Sequence, residues 1–432
     1  MPLSRYRKIY PCPEKPGYYL LYSTRKGSTV RVSAALLAAA REGSLTKSEC
    51  EELRRLEIVV DDPVAEVEAM AGLVARANAR RNRFRALAVL TLDCNLACPY
   101  CFEDPFRSKV TMTPDTARLL VETVIRDYME HGRDVEIDFY GGECLLSVGL
   151  IRAIARPLHD AALVRGTKFS FFLITNGTLL TRPLVEELLP LGLGGAQVTL
   201  DGPREIHDFQ RPFVSGKGSF DVIVANIKAV CDLISVRVGG NCTPANYRQF
   251  PRLLDVLLEE GISPERIGLV QFGPVVPKAG KTVGPDSVSG CVSSSEPWLR
   301  EAGPYLREET LKRGFRADKP TMAACMVEFA NDLVVNYDGT LYKCPAFMGW
   351  PELAIGTLAD GVRDYSASHN LDVWKNDECL DCAYLPICFG GCRYMTLLRT
   401  GAMNEVDCRR EFYDATLEQI IRQDLALRSL PA

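Results

Sequence analysis

Residues 91–104 read TLDCNLACPYCFED. Cys94, Cys98 and Cys101 fall within eight positions at C-x3-C-x2-C spacing, and no histidine follows at zinc-finger distance. A thiolate-rich set without histidine suits an iron–sulfur cluster or zinc. Structural zinc takes four protein ligands in a closed site; this loop supplies three.

What surrounds the loop sets its context. ALAVLTLD (86–93) leads into it as an apolar strand, and similar runs recur at DVEIDFY (134–140), KFSFFLIT (168–175), GAQVTLD (195–201), SVRVGGN (235–241) and ERIGLVQF (265–272). Helical patterns such as TPDTARLLVETVIRDYMEHG and YRQFPRLLDVLLEEG lie between them. Near-continuous apolar strands alternating with helices predict an α/β fold with a parallel sheet buried on both faces. Six βα units are too few to close an eight-stranded barrel, so an open, partial TIM-type barrel is expected. Chemistry in such folds sits at the carboxyl ends of the strands, where the three cysteines lie.

Upstream, YYLLYST and STVRVS flank an RKG turn as a hairpin. AALLAAAREG and TKSECEELRRL read as helices, the second with a Thr46/Glu49 capping box, and EIVVDD (57–62) reads as a short strand. The expected organisation is a winged-helix-like domain over 1–85, a barrel over 86–290, and a connection over 291–320. A cysteine-dense domain over 321–410 and a closing helix over 411–432 complete it. The arginine-rich ARANARRNRFR (75–85) reads as a solvated helix face before a strand.

Bulk properties narrow the function. The 432 residues are 47% apolar with a net charge of −4, enough for a substantial core and unlike a general nucleic-acid or membrane binder. No secretory signal and no membrane-spanning run stand in the sequence, which points to a cytosolic chain. Sixteen cysteines in that compartment read as metal ligands rather than a disulfide framework.

The C-x3-C-x-aromatic-C form, with Tyr100 as the aromatic, resembles the radical S-adenosylmethionine (SAM) superfamily. The resemblance implies a [4Fe–4S] cluster on Cys94, Cys98 and Cys101 whose fourth iron binds SAM. Gly141, Gly142 and Glu143 match the family's GGE motif, whose backbone and acid receive the SAM amino group. Cys144 stands where proline is usual, and is expected to be a small buried thiol. Thr175 and Asn176 fall at the cofactor rim, and Thr199, Asp201 and Arg211 resemble the ribose- and carboxylate-binding side.

Downstream, the spacing C-x13-G-x4-C, then C-x2-C-x5-C-x3-C, then a last cysteine resembles the SPASM domain, which holds two auxiliary [4Fe–4S] clusters. The resemblance implies Cys325, Cys344 and Cys392 on the first, and Cys379, Cys382, Cys388 and Cys408 on the second, so three clusters in all. Seven thiols leave one ligand open; either Cys291 supplies it or an open iron receives a substrate thiolate. The same resemblance implies an oxidoreductase that modifies a ribosomally synthesised precursor peptide through a 5′-deoxyadenosyl radical. Its leader would be captured by the N-terminal domain as an added strand, and a flavodoxin or ferredoxin would donate electrons. KIYPCPEKPGYYLLYS resembles the geopeptide maturases of this group. Sulfatase-type relatives carry an acid after the cysteine matching Cys344, where this chain has Pro345. That favours a thioether, with a carbon–carbon or ether crosslink as the alternative. A non-catalytic zinc-binding module is the alternative of another class. Cys12, Cys50, Cys231 and Cys242 are expected to be buried structural thiols, and none of the four histidines is assigned to metal.

Overall fold

The computed structural model describes residues 1–276, 291 and 293–427. Its first unit is an antiparallel sheet of β1 (Arg7–Pro11), β2 (Tyr18–Ser23) and β3 (Thr29–Ser33), in that order, followed by helices Ala34–Glu42, Lys47–Arg55, Pro63–Ala71 and Leu73–Arg80. The β2–β3 hairpin and the capping box are present: the Glu49 carboxylate accepts from Thr46 N at 2.8 Å and Thr46 Oγ1 accepts from Glu49 N at 3.4 Å. Strand β1 was not anticipated. The segment 57–62 is no strand; Val59 makes a single bridge to Leu3, Glu57 takes a left-handed φ of 55°, and Asp62 caps the next helix. A residue forced to positive φ breaks the extended run at its start.

The six barrel strands are β4 (Arg83–Thr91), β5 (Asp134–Gly141), β6 (Phe169–Thr175), β7 (Leu193–Thr199), β8 (Ser235–Cys242) and β9 (Ile267–Pro274), parallel and in sequence order. β4 starts at Arg83, ahead of the expected 86. Ala86, Ala88, Ile137, Phe139, Phe171, Leu173, Ala196, Val198 and Val236 are fully buried beneath helices that contribute Leu120, Val124, Ile151, Ile154 and Leu158 to the same core. Each of the larger side chains among them stabilises the fold by about 1.5–3 kcal/mol on burial.

Two expectations about this sheet need correction. The lower part of its concave face is polar rather than apolar: Arg83, Arg85, Glu136, Asp138, Gln197 and Arg237 line a cavity of about 280 Å³, with Arg85 paired to Asp138 at 2.6 Å. An unclosed barrel lets water reach that face, so alternate strand positions need not be apolar. The sheet also continues past β4. β10 (Asp332–Val335) pairs parallel to β4, and β11 (Thr340–Tyr342), β12 (Gly356–Thr357) and β13 (Gly361–Val362) follow antiparallel, giving ten strands. The cysteine-dense region is thus built onto the barrel's edge, which is covered rather than exposed.

The expected connection 291–320 contains a helix, Leu299–Lys312, whose Ala302 and Leu306 pack with Tyr247 and Phe250. Pro304 inside it and its many charges hide the periodicity. Residues 277–290, also assigned to the barrel and its connection, lie outside the described residues. The first unit and the cysteine-dense region share a core: Tyr6, Met70 and Val74 pack with Trp374, Leu385 and Phe389. The Tyr6 hydroxyl donates to Leu380 O at 2.9 Å, and Tyr22 to Pro320 O at 2.8 Å. No described helix is long and apolar enough to cross a membrane.

Candidate active site

The loop after β4 is tied down at several points. Thr91 Oγ1 donates to Val110 O at 2.8 Å and accepts from Asp93 N at 3.1 Å, while Ala97 N donates to Pro212 O at 2.8 Å. Cys94, Cys98 and Cys101 thereby line a cavity of about 180 Å³ at the carboxyl end of the sheet, together with Tyr100, Gly141, Gly142, Thr175, Asn176, Thr199 and Arg211. The backbone of β5 presses against this loop. A Cβ on Gly141 would lie 2.2 Å from Thr91 O, and one on Gly142 would lie 2.3 Å from Asp93 O. Only glycine permits that approach.

The residues present fit a thiolate-bound cluster with an anionic ligand beside it. Burial pushes the Cys101 thiol up to about 12, and raises Cys94 and Cys98 as well. Such thiols become thiolates when a cation takes up their charge. Arg211 lines the cavity, and its Nε is buried without a hydrogen-bond partner among the described residues. An unpartnered guanidinium N–H there suits a carboxylate.

Two residues are placed differently from expectation. Glu143 is fully buried, and its carboxylate accepts from Thr175 Oγ1 at 2.7 Å, Asn176 N at 2.7 Å and Leu145 N at 2.9 Å. Its acid is occupied within the protein, which leaves the backbone of the GGE segment to face a ligand. Asp201 is also sealed: it accepts from Asn241 N at 2.7 Å and from the Tyr100 hydroxyl. That hydroxyl accepts in turn from Arg211 Nη1 at 2.7 Å and Asn241 Nδ2 at 3.2 Å. Asp201 therefore anchors Tyr100 and Arg211 from behind the cavity wall.

Sequence reasoning missed Asn241, Arg107 and Glu103. Arg107 Nη2 donates to Cys94 O at 2.6 Å. Glu103 is buried against the cavity, receives the Tyr140 hydroxyl, and keeps Oε1 unpartnered among the described residues. Its place two residues after Cys101 was the available signal. Cys144 is buried as expected, with its thiol 3.4 Å from Ile174 O. His207 is a strut: Asp201 N donates to its Nδ1 at 3.1 Å, and Nε2 lies 3.0 Å from Ser219 Oγ.

The downstream thiols form two groups. Cys325 opens the turn Met326–Glu328, Cys344 follows β11, and Cys392 caps the helix Arg393–Thr400. Burial raises Cys344 first, and the neighbouring Cys325 and Cys392 raise it further. Cys379, Cys382, Cys388 and Cys408 line a second cavity of about 230 Å³; burial pushes Cys379 up to about 11. Cys291 is buried, its thiol donating to Ser293 O at 2.8 Å, and the charges acting on it are those of Glu296 and Asp407. Among the described residues no three Cys, His, Asp or Glu side chains converge on a single-ion site. Cys12, Cys231 and Cys242 are buried, but Cys50 is only half-buried because its helix faces solvent.

Residues 89–257 match the radical SAM superfamily. Fe-coproporphyrin III synthase of Methanosarcina barkeri (strain Fusaro / DSM 804) is 30% identical over 177 residues, 40% of this chain and 40% of that protein. The cysteine-type anaerobic sulfatase-maturating enzyme of Clostridium novyi (strain NT) is 24% identical over 331 residues, covering 70% of this chain and 85% of that one. The PqqA peptide cyclase of Ruegeria pomeroyi (strain ATCC 700808 / DSM 15171 / DSS-3) is 25% identical over 335 residues, 73% and 83% of the two chains. Among solved structures, native anSMEcpe with bound AdoMet superposes with a TM-score of 0.64 at 18% identity over 79% of this chain and 100% of that one. Streptococcus suis SuiB superposes with a TM-score of 0.53 at 15% identity over 94% and 98%.

Proposed function

We propose that this chain, a radical SAM enzyme by its domain at residues 89–257, oxidatively modifies a ribosomally synthesised peptide and closes a thioether between a cysteine sulfur and a carbon. Two relatives matched over most of their length, a sulfatase-maturating enzyme and a peptide cyclase, support a peptide substrate. The observation that carries the thioether is the group of three thiols, Cys325, Cys344 and Cys392, with Cys291 engaged elsewhere. A fourth position left free there suits a substrate thiolate.

Cys94, Cys98 and Cys101 would hold the SAM-binding cluster, the backbone at Gly141 and Gly142 would face the amino group, and Arg211 would take the carboxylate. When bound, these groups supply the one-electron chemistry that removes a hydrogen atom from an unactivated carbon. The chain's own part is to bind, orient and exclude water. Tyr100 couples the cysteine loop to β7 and β8 through Asp201 and Asn241. Glu143 ties the end of β5 to Thr175 and Asn176 at the end of β6. Leu96, Phe102, Ile174, Val275 and Val276 supply the apolar part of the cavity lining, which would help to exclude water. Cys379, Cys382, Cys388 and Cys408 would hold a second auxiliary cluster, and a flavodoxin or ferredoxin would supply electrons. Strand β3 has β2 as its strand partner, so its outer edge would receive the leader as an added strand.

The test is anaerobic turnover with the precursor peptide and mass spectrometry. A product lighter by two hydrogens, with one cysteine refractory to alkylation, is expected. An oxidised product whose cysteines all alkylate would replace the thioether with a carbon–carbon or ether crosslink.

A further inference from the structure

Arg393 directly follows Cys392 and is 1% exposed, one of the largest fully buried side chains of the protein. Its Nη2 donates to Glu328 Oε1 at 2.5 Å, while Nε and Nη1 have no hydrogen-bond partner among the described residues. Its backbone N–H donates to the Cys325 thiol, and its charge acts on that thiol more strongly than the opposing charge of Glu328. Nη1 lies 3.2 Å from where a Cβ on Gly390 would stand, so the glycine leaves room for the guanidinium.

A guanidinium stays charged in a protein, and buried N–H groups are ordinarily paired. Two unpaired donors on a buried cation therefore call for an acceptor that protein atoms do not provide. The neighbouring buried cation makes the contrast. Lys343, beside Cys344, spends its ammonium on Phe329 O at 2.6 Å and on Asp332 O. Arg393 has no such outlet. Glu328 accounts for one edge of its fork, Nη1 stands beside Gly390, and the backbone N–H and the charge of the same residue act on Cys325.

We infer that Arg393 is a positioning residue of the first auxiliary cluster, supplying a fixed positive charge and N–H donors to its sulfurs and so raising its reduction potential. This rests on the reading that Cys325, Cys344 and Cys392 hold an iron–sulfur cluster. Net charge and hydrogen bonds to sulfur are the protein's main means of setting such potentials, and a cation favours the more negative, reduced state. At the second auxiliary group the donors to Cys388 are the backbones at Arg409 and Gly390, and the cation acting on it is Arg409.

The test is an EPR-monitored redox titration of the reconstituted holoenzyme, with iron and sulfide counted in every variant. Removing Arg393 alone would leave Glu328 buried and unpaired, so the comparison is made between Glu328→Gln and the Glu328→Gln/Arg393→Gln double variant. Glu328→Gln removes an anion and should raise the potential of the first auxiliary cluster. The double variant should be about tenfold harder to reduce than Glu328→Gln, or about 59 mV lower for one electron. The second cluster should move less. Equal potentials in the two variants at full iron content would overturn the inference. A wild type without auxiliary iron would remove the reading beneath it, and the inference with it.

Discussion

The hydroxyl of Thr175 donates to the carboxylate of Glu143 at 2.7 Å, and both side chains are sealed from solvent. The pair joins the ends of β5 and β6 under the cavity floor, and all three short contacts of the carboxylate come from donors. Glu143→Gln turns an amide N–H₂ toward at least one of those donors. The expected loss is about 1–3 kcal/mol, seen as a lower Tm, together with weaker SAM binding by calorimetry. A variant with wild-type Tm and affinity would show that the carboxylate is dispensable there.

Gly142→Ala should damage the cluster loop directly. Its new Cβ would meet Asp93 O at 2.3 Å, backbone against backbone, and overpacking of this kind costs about 1–3 kcal/mol. On the proposed three-cluster reading, iron analysis should show loss at the SAM-binding cluster with the auxiliary iron retained. Gly149→Ala is the control: it meets nothing within 4 Å in its helix and should leave iron content unchanged.

His207 predicts an acid sensitivity. Burial holds its imidazole down, at about 3 against an ordinary 6.5. The unfolded chain therefore binds a proton that the folded chain refuses. Stability from this group is fully present above pH 6.5 and falls by about 1.4 kcal/mol per pH unit below it, toward pH 3. His207→Asn should flatten the Tm–pH curve between pH 6.5 and 5. An unchanged slope would assign the acid sensitivity to other groups.

Removing residues 1–80 should cost more than leader binding. Tyr6, Met70 and Val74 share a core with Trp374, Leu385 and Phe389, and the Tyr6 hydroxyl holds the backbone between Cys379 and Cys382. The truncated chain is expected to aggregate and, on the proposed three-cluster reading, to lose iron from the second auxiliary group. A soluble truncation with its full iron complement would show that the interface is not needed for cluster assembly.

Much of this was legible because the signals are local. Strand runs alternate with helical runs from residue 86 onward, and the C-x3-C-x2-C loop falls after the first strand whatever the rest of the chain does. Cysteine spacing downstream likewise needs no long-range information to be read. The helix Leu299–Lys312 was hidden by an internal proline, and β10 by its four-residue length. The polar lower face of the sheet was misread because burial on both faces presumes a closed barrel.

The sequence by itself determined the order of the barrel strands, the loop that carries the three thiols, and the glycines that let β5 approach it. These follow from periodicity, spacing and the steric freedom of single residues. Tertiary structure alone decided which polar groups are free. Glu143 and Asp201 look like ligand-facing acids in the chain, but they are spent on Thr175, Asn176, Tyr100 and Asn241. Arg393 looks like an ordinary basic residue, yet like Arg211 it keeps a buried donor unpaired among the described residues. Whether a hydrogen-bonding group is satisfied depends on partners tens to hundreds of residues away, and only the folded chain brings them together.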